Sequence, residues 1–375
     1  MLFPLAANSP RCKVFEKLNA ELLYFLNKSI TAKQFRRSLF STETGQECWK
    51  NTPTKEKFKA VFGLLPRDEN DRREIYDSIN DCQNISLLFS DKAIEAPRIA
   101  PEELFVVFKS LTTHLFNRTK DLAGVITDAN ESIEEHYQAY VRANSELCFV
   151  CGTNSLAQNR FNVLDDEQWR SDYDHLLCKD KYPVYSCHPD NFLPTCHICN
   201  SKAKGALDAL FCGSDRRRAP YPLPPLNDSI FDKITVRTVF NELINCAADE
   251  NINPLCQVDF EYINHTADEN EMIQAWIELY KVPQRVGARI AKTFCEYIAS
   301  DCTPEDYGDF CYQIARKARQ EPADMKITEW RFWWFRLYEW LNAQVEDVKR
   351  DAWALIIWKI QQENNNNNAA RTYGI

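Results

Sequence analysis

No run of apolar residues in this chain approaches the ~20 needed to cross a bilayer, so a membrane span is not expected. The opening residues, MLFPLAANSPRCK, lack a basic start followed by a long apolar stretch, which argues against a secretory leader. Glycine is scarce, with nine in 375 residues, and the seventeen prolines are scattered, so collagen-like repeats and long flexible linkers are excluded. No internal repeat is visible. A basic surplus is missing too: the formal net charge is −9, so any footprint for a polyanion must be local. From these absences we expect a cytoplasmic protein.

What is present is material for a core. Hydrophobic residues make up 45% and aromatics 12% of a chain long enough for two or three domains. The first 145 residues read as helical. RCKVFEKLNAELLYFLNKSI repeats apolar side chains near the helical period, and PEELFVVFKSLTTHLFN opens with Pro101 and two glutamates. Residues 146–215 lose that period and concentrate cysteine, histidine, asparagine and lysine. RRRAPYPLPPLND then reads as a connector. In residues 216–362, KITVRTVF and CQVDFEYI predict a short strand pair, and the rest predicts helix. One long stretch there carries Trp330, Trp334, Leu337, Leu341, Val345 and Val348 at three- and four-residue steps, a pattern for core or a subunit interface. Residues 363–375, rich in asparagine, read as a disordered tail. The expected fold class is α+β and mostly helical.

The fifteen cysteines do not suggest a disulfide framework, because their number is odd and no leader is expected. Most stand singly among apolar residues, as small buried hydrophobes do. Two pairs differ. Cys148-x2-Cys151 and Cys196-x2-Cys199 each form half of a metal knuckle, and four thiolates so arranged meet the tetrahedral demand of a closed, structural Zn²⁺ site. Gly152 after the first pair suits the tight turn. His197 or His188 replacing a ligand is the weaker alternative.

Between the pairs lies SDYDHLL, with Asp174 directly before His175, followed by Asn191 and, after the last cysteine, Asn200, Lys202 and Lys204. A lone histidine is more often structural, a lone asparagine a turn residue, and single lysines a wetted surface. Their order inside a cysteine clamp changes that balance. A carboxylate at 174 and an amide oxygen at 200 suit Mg²⁺ or Mn²⁺ better than a softer metal, and His175 near its ordinary pKa of ~6.5 is a base for water at neutral pH. Asp172 shares strand parity with Asp174 and is either an assistant to that metal or a solvent-facing residue.

The ordered set CFVCG, DYDH, NFLPTC and CNSKAKG resembles the HNH endonucleases, the zinc-stapled branch of the ββα-metal (His-Me finger) nucleases. The resemblance covers residues 146–210, about a fifth of the chain. It implies a ββα-metal core with Cys148, Cys151, Cys196 and Cys199 on structural zinc, His175 as general base, Asp174 and Asn200 on a catalytic Mg²⁺ or Mn²⁺, and Asn191 steadying the loop that carries the base. Lys202 and Lys204 are the expected phosphate contacts. Two departures stand out: the motif reads H-N-N, and LLCK follows the histidine where a branched residue and proline are usual. DNA is the implied substrate and restriction or antiphage defence the implied setting, with a partner protein or self-association through the helical flanks. Arg216 to Arg218, and Arg285 with Arg289 and Lys292, are further candidates for the DNA backbone. The rival reading is a zinc module without catalysis that binds nucleic acid or a protein.

Overall fold

A computed structural model describes residues 2–40, 42–164, 167–217, 229–240 and 256–373, apart from the side chains of residue 256 and of 363 onward. The proline-rich connector lies largely outside the described residues, as do residues 374 and 375 of the tail.

Among the described residues eight α-helices precede the cysteine-rich region: α1 (Lys13–Ser29), α2 (Glu43–Lys50), α3 (Thr52–Leu64), α4 (Glu69–Asp81), α5 (Ile85–Ser90), α6 (Glu102–Asn117), α7 (Ala123–Ala129) and α8 (Ile133–Asn144). Their starts follow from local chemistry. Asn51 and Asp68 accept from backbone amides at the heads of α3 and α4, and Ser132 with Glu135 closes a capping box on α8. Along α1, Val14, Phe15, Leu18, Leu22, Phe25 and Leu26 form the buried stripe, and Phe25 meets Phe58 of α3 edge-on with ring centroids 4.8 Å apart.

After α8 the chain turns into short antiparallel pairs. β1 (Ala157–Gln158) pairs with β2 (Trp169–Arg170), β3 (Tyr173–His175) with β4 (Phe192–Pro194), and β5 (Phe211–Cys212) with β6 (Asp215–Arg216). A wide helical segment, Ile198–Lys204, follows β4. In the last third β7 (Ile234–Phe240) pairs with β8 (Cys256–Tyr262) from Ile234↔Tyr262 to Phe240↔Cys256. Among the described residues five helices follow: α9 (Ala267–Tyr280), α10 (Val282–Cys302), α11 (Tyr307–Arg319), α12 (Arg331–Ala343) and α13 (Glu346–Tyr373). The α+β class, dominated by helix, is as expected; no described helix is long and apolar enough to cross a membrane.

Two expectations for the C-terminal end change. The aromatic stretch is two helices, because Trp330 takes a left-handed φ of 66° and Gln344 an extended backbone. Val345 therefore falls off the stripe and is 68% exposed. The asparagine tract continues α13 to Tyr373, since nothing before that point breaks the helix and asparagine costs a helix only a fraction of what proline does.

The three regions share one buried apolar cluster. Phe3 packs against Phe149 beside the first cysteine pair and against Phe231 and Phe332 of the last third. The cysteine-rich region is therefore held between the two helical ends.

Candidate metal cluster and adjoining histidine cleft

The first cysteine pair is a tight turn. Cys151 N and Gly152 N both donate to Cys148 O, at 3.2 and 2.8 Å, and Gly152 adopts a φ of 66°. A side chain there would also strike Leu2, 2.9 Å from the position of its Cβ. The second pair heads the helical segment, where Asn200 N donates to Cys196 O. The four Sγ atoms lie within 4.8 Å of one another, all buried. Cys151 and Cys196 sulfurs are 3.8 Å apart, close to the edge of about 3.8 Å that a tetrahedron of Zn–S bonds of ~2.3 Å requires. The donor set and its spacing thus fit a metal such as zinc.

Neither histidine replaces a sulfur. His197 is exposed, and His188 Nδ1 accepts from Asp190 N. Four buried thiols cannot all ionise without compensating charge. Burial pushes Cys148 and Cys199 up; it acts on Cys151 in the same sense, but hydrogen bonds from the other three cysteines and from Thr153 outweigh it and push that thiol down. Part of the compensation is Arg285, whose Nη2 sits 3.1 Å from Cys199 Sγ. Its sequence reading as a DNA-backbone contact is corrected: the guanidinium is turned inward to the sulfurs. Arg289 and Lys292 are exposed. Arg216 and Arg217 also face inward. Arg216 donates to the carbonyls of Leu88, Lys92 and Ile94, and Arg217 to Asp208 O with Glu278 as ion-pair partner. Arg218 lies outside the described residues.

Beside the cluster, β3 and β4 pair with Asp174 opposite Leu193 and His175 opposite Phe192. The helical segment then follows, so two antiparallel strands and a helical turn stand in chain order. His175, Asp174, Asn200 and Lys204 line one cleft of about 510 Å³ with Phe116 of α6 and Lys179. The His175 ring is wedged edge-on between Phe116 and Phe192, at 4.4 and 4.7 Å between centroids. One nitrogen is engaged by the Ser186 backbone; Nε2 is buried and has no partner. Burial first, then the charges of Lys179 and Lys204, lower the ring's pKa to about 3, so it is neutral and Nε2 carries a lone pair.

Asn191 directs its side-chain hydrogen bonds to the loop and not to that ring. Fully buried, it binds the loop that follows: Oδ1 accepts from Leu177 N at 2.7 Å, and Nδ2 donates to Leu177 O and Tyr185 O, both at 3.0 Å. Asn200 Nδ2 donates to Tyr173 O at 3.4 Å, next to Asp174. Lys202 is exposed and Asp172 stands at the cleft rim, also exposed.

Lys204 departs from expectation. It is 2% exposed, and its Nζ bonds Asp174 Oδ1 at 2.8 Å and His175 O at 2.6 Å. The other Asp174 oxygen accepts from the Tyr280 hydroxyl at 2.9 Å. Lys204 is thus no surface phosphate contact, and both carboxylate oxygens are taken. Asp174 and Asn200 suit a hard cation chemically, but only with Lys204 moved aside. Lys179, which lies over the Phe116 ring and lines the cleft, is the cation that sequence reasoning missed. Its position four residues after His175 was the available signal; Tyr280, from α9, had none.

No family model matches this chain, and neither does any curated protein or solved structure.

Proposed function

We propose that the protein is a metal-dependent endonuclease that hydrolyses DNA phosphodiester bonds at the His175 cleft. The observation that carries this reading is the unpartnered Nε2 of a neutral imidazole, buried at a cleft bordered by Asp174, Asn200 and Lys179. Its lone pair is free, and we assign His175 the role of general base, which it fills once its basicity rises from the depressed resting value. Burial is the larger cause of that depression; arrival of a phosphate anion offsets the part that Lys179 and Lys204 add and so raises the ring's basicity. Asn191 fixes the loop after the base. Lys179 supplies a positive charge to a phosphate oxygen in the cleft. A Mg²⁺ or Mn²⁺ ion, held by Asp174 and Asn200, would supply charge neutralisation at the scissile phosphate. The cysteine cluster, read as structural zinc, has no open position and contributes rigidity alone.

The test is cleavage of plasmid DNA with Mg²⁺ or Mn²⁺, with metal omitted, and with His175→Ala. The expected result is a loss of about 10²- to 10⁴-fold in the variant with its zinc content unchanged. Undiminished cutting by that variant ends the proposal. An RNA digestion run in parallel separates the two polymers. A second reading, a zinc module that binds without catalysis, is favoured by the occupied oxygens of Asp174; it expects no cutting under any of these conditions.

A further inference from the structure

We propose that the Lys204 ammonium is a resident competitor for the cation at Asp174, displaced into the cleft when a divalent ion binds and there available to a phosphate. This rests on the nuclease reading for its purpose, but its evidence is separate. The Nζ lies between a carboxylate oxygen, Asp174 Oδ1, and a backbone carbonyl, His175 O. Two hard oxygens facing one positive group form the kind of pocket that Mg²⁺ or Mn²⁺ also seeks. Tyr280 holds the second carboxylate oxygen, so the carboxylate keeps its place if the ammonium leaves. Lys204 is the last residue of the helical segment and precedes Gly205, whose φ of 49° ends it. Its side chain already borders the cleft shared with His175, Asn200 and Lys179. An ammonium moved a few bonds outward becomes a phosphate contact without any backbone change.

Two consequences are measurable. Removal of the competitor tightens the metal, because a buried carboxylate that has lost its ammonium needs another cation. A bound anion that receives the displaced Lys204 also tightens the metal, and by linkage the metal tightens the anion.

The experiment is Mn²⁺ binding to the full chain, followed by electron paramagnetic resonance of the free ion, with and without inorganic phosphate. Zinc content serves as the check on folding. Lys204→Met is expected to bind Mn²⁺ at least ten-fold more tightly than the wild type, and Asp174→Asn added to it to abolish that gain. Phosphate is expected to tighten Mn²⁺ in the wild type and not in Lys204→Met. An affinity for Lys204→Met within two-fold of the wild type, or weaker, overturns the proposal. Should that variant lose its zinc, labelling of the wild type with an amine-reactive ester decides. Lys204 protected without Mn²⁺ and labelled with it supports the exchange; equal labelling overturns it. Cutting of DNA is not the readout. A Mn²⁺ response without cleavage leaves the exchange standing and sinks the nuclease, while His175-dependent cleavage without a Mn²⁺ response does the reverse.

Discussion

Glu21 on α1 is a carboxyl in the wrong solvent. It is 1% exposed, its Oε2 accepts from Thr42 Oγ1 at 2.6 Å, and its Oε1 has no partner. Burial pushes its pKa up from 4.5 to about 7, with Thr42 opposing and Asp128 adding to the shift. The sign of the linkage follows. Between the unfolded value and about 7 the folded state holds a proton that the unfolded state has released, so stability falls as pH rises through that window. The full shift is worth on the order of 3 kcal/mol. Glu21→Gln keeps the shape and the acceptor while removing the charge. It is expected to raise the melting temperature at pH 8, to leave it nearly unchanged at pH 4.5, and so to flatten the pH dependence of unfolding. A gain equal at both pH values would mean that the charge is not the cause. Nothing in the sequence marks Glu21, which sits among ordinary charged residues of an amphipathic helix. Its carboxyl lies against Thr42 and Gly45 of a different element, a contact that the helix's own sequence does not announce.

Among the elements, the cysteine knuckles and the β7–β8 pair were legible because their information is local. A two-residue gap between cysteines, a glycine at positive φ and two β-prone runs with partial alternation need no distant partner to be read. The C-terminal helices were less so. Periodicity ran the aromatic stripe straight through Trp330 and Gln344. The structure breaks it at both, and Trp330 N is instead drawn to Gly152 O at 2.9 Å. The roles of Lys204 and Arg285 were misread for a related reason: a basic residue looks solvated until a remote carboxylate or sulfur is known to face it. The knuckles also carry a prediction. Two loops 44 residues apart are joined by four sulfurs, and the helical segment Ile198–Lys204 begins at one of them. Removing the metal with a strong chelator is therefore expected to speed amide exchange in residues 148–152 and 196–205 by at least ten-fold, while α3 and α6 keep their protection. Exchange that is unchanged at both knuckles would mean the sulfurs hold no metal that matters to the fold.

The molecule as a whole sets the cleft into an acidic body. The last third grips the knuckle through two indoles, Trp276 Nε1 to Val150 O and Trp333 Nε1 to Cys151 O, both at 2.8 Å, so the cleft is presented on a rigid frame. Against the net charge of −9, Lys204, Arg216, Arg217 and Arg285, all candidates to meet a polyanion, point inward. The cleft retains Lys179, with Lys204 joining it once displaced, and Lys202 is exposed one residue beyond the lining residue Ser201. A duplex bound there has two or three phosphates neutralised. Since each released counterion contributes about −0.9 to the slope of log K against log salt, a slope of roughly −2 to −3 is expected. A protein gripping DNA along a basic face, with 6–10 such contacts, would give a slope of roughly −5 to −9. Fluorescence anisotropy of a labelled duplex with the His175→Ala protein, between 50 and 200 mM salt, measures it. A slope steeper than about −5 would place the main contacts outside the cleft, on a surface such as that of Arg289 and Lys292. A shallow slope, lowered by about one more in Lys179→Ala, would put the polyanion at His175 itself.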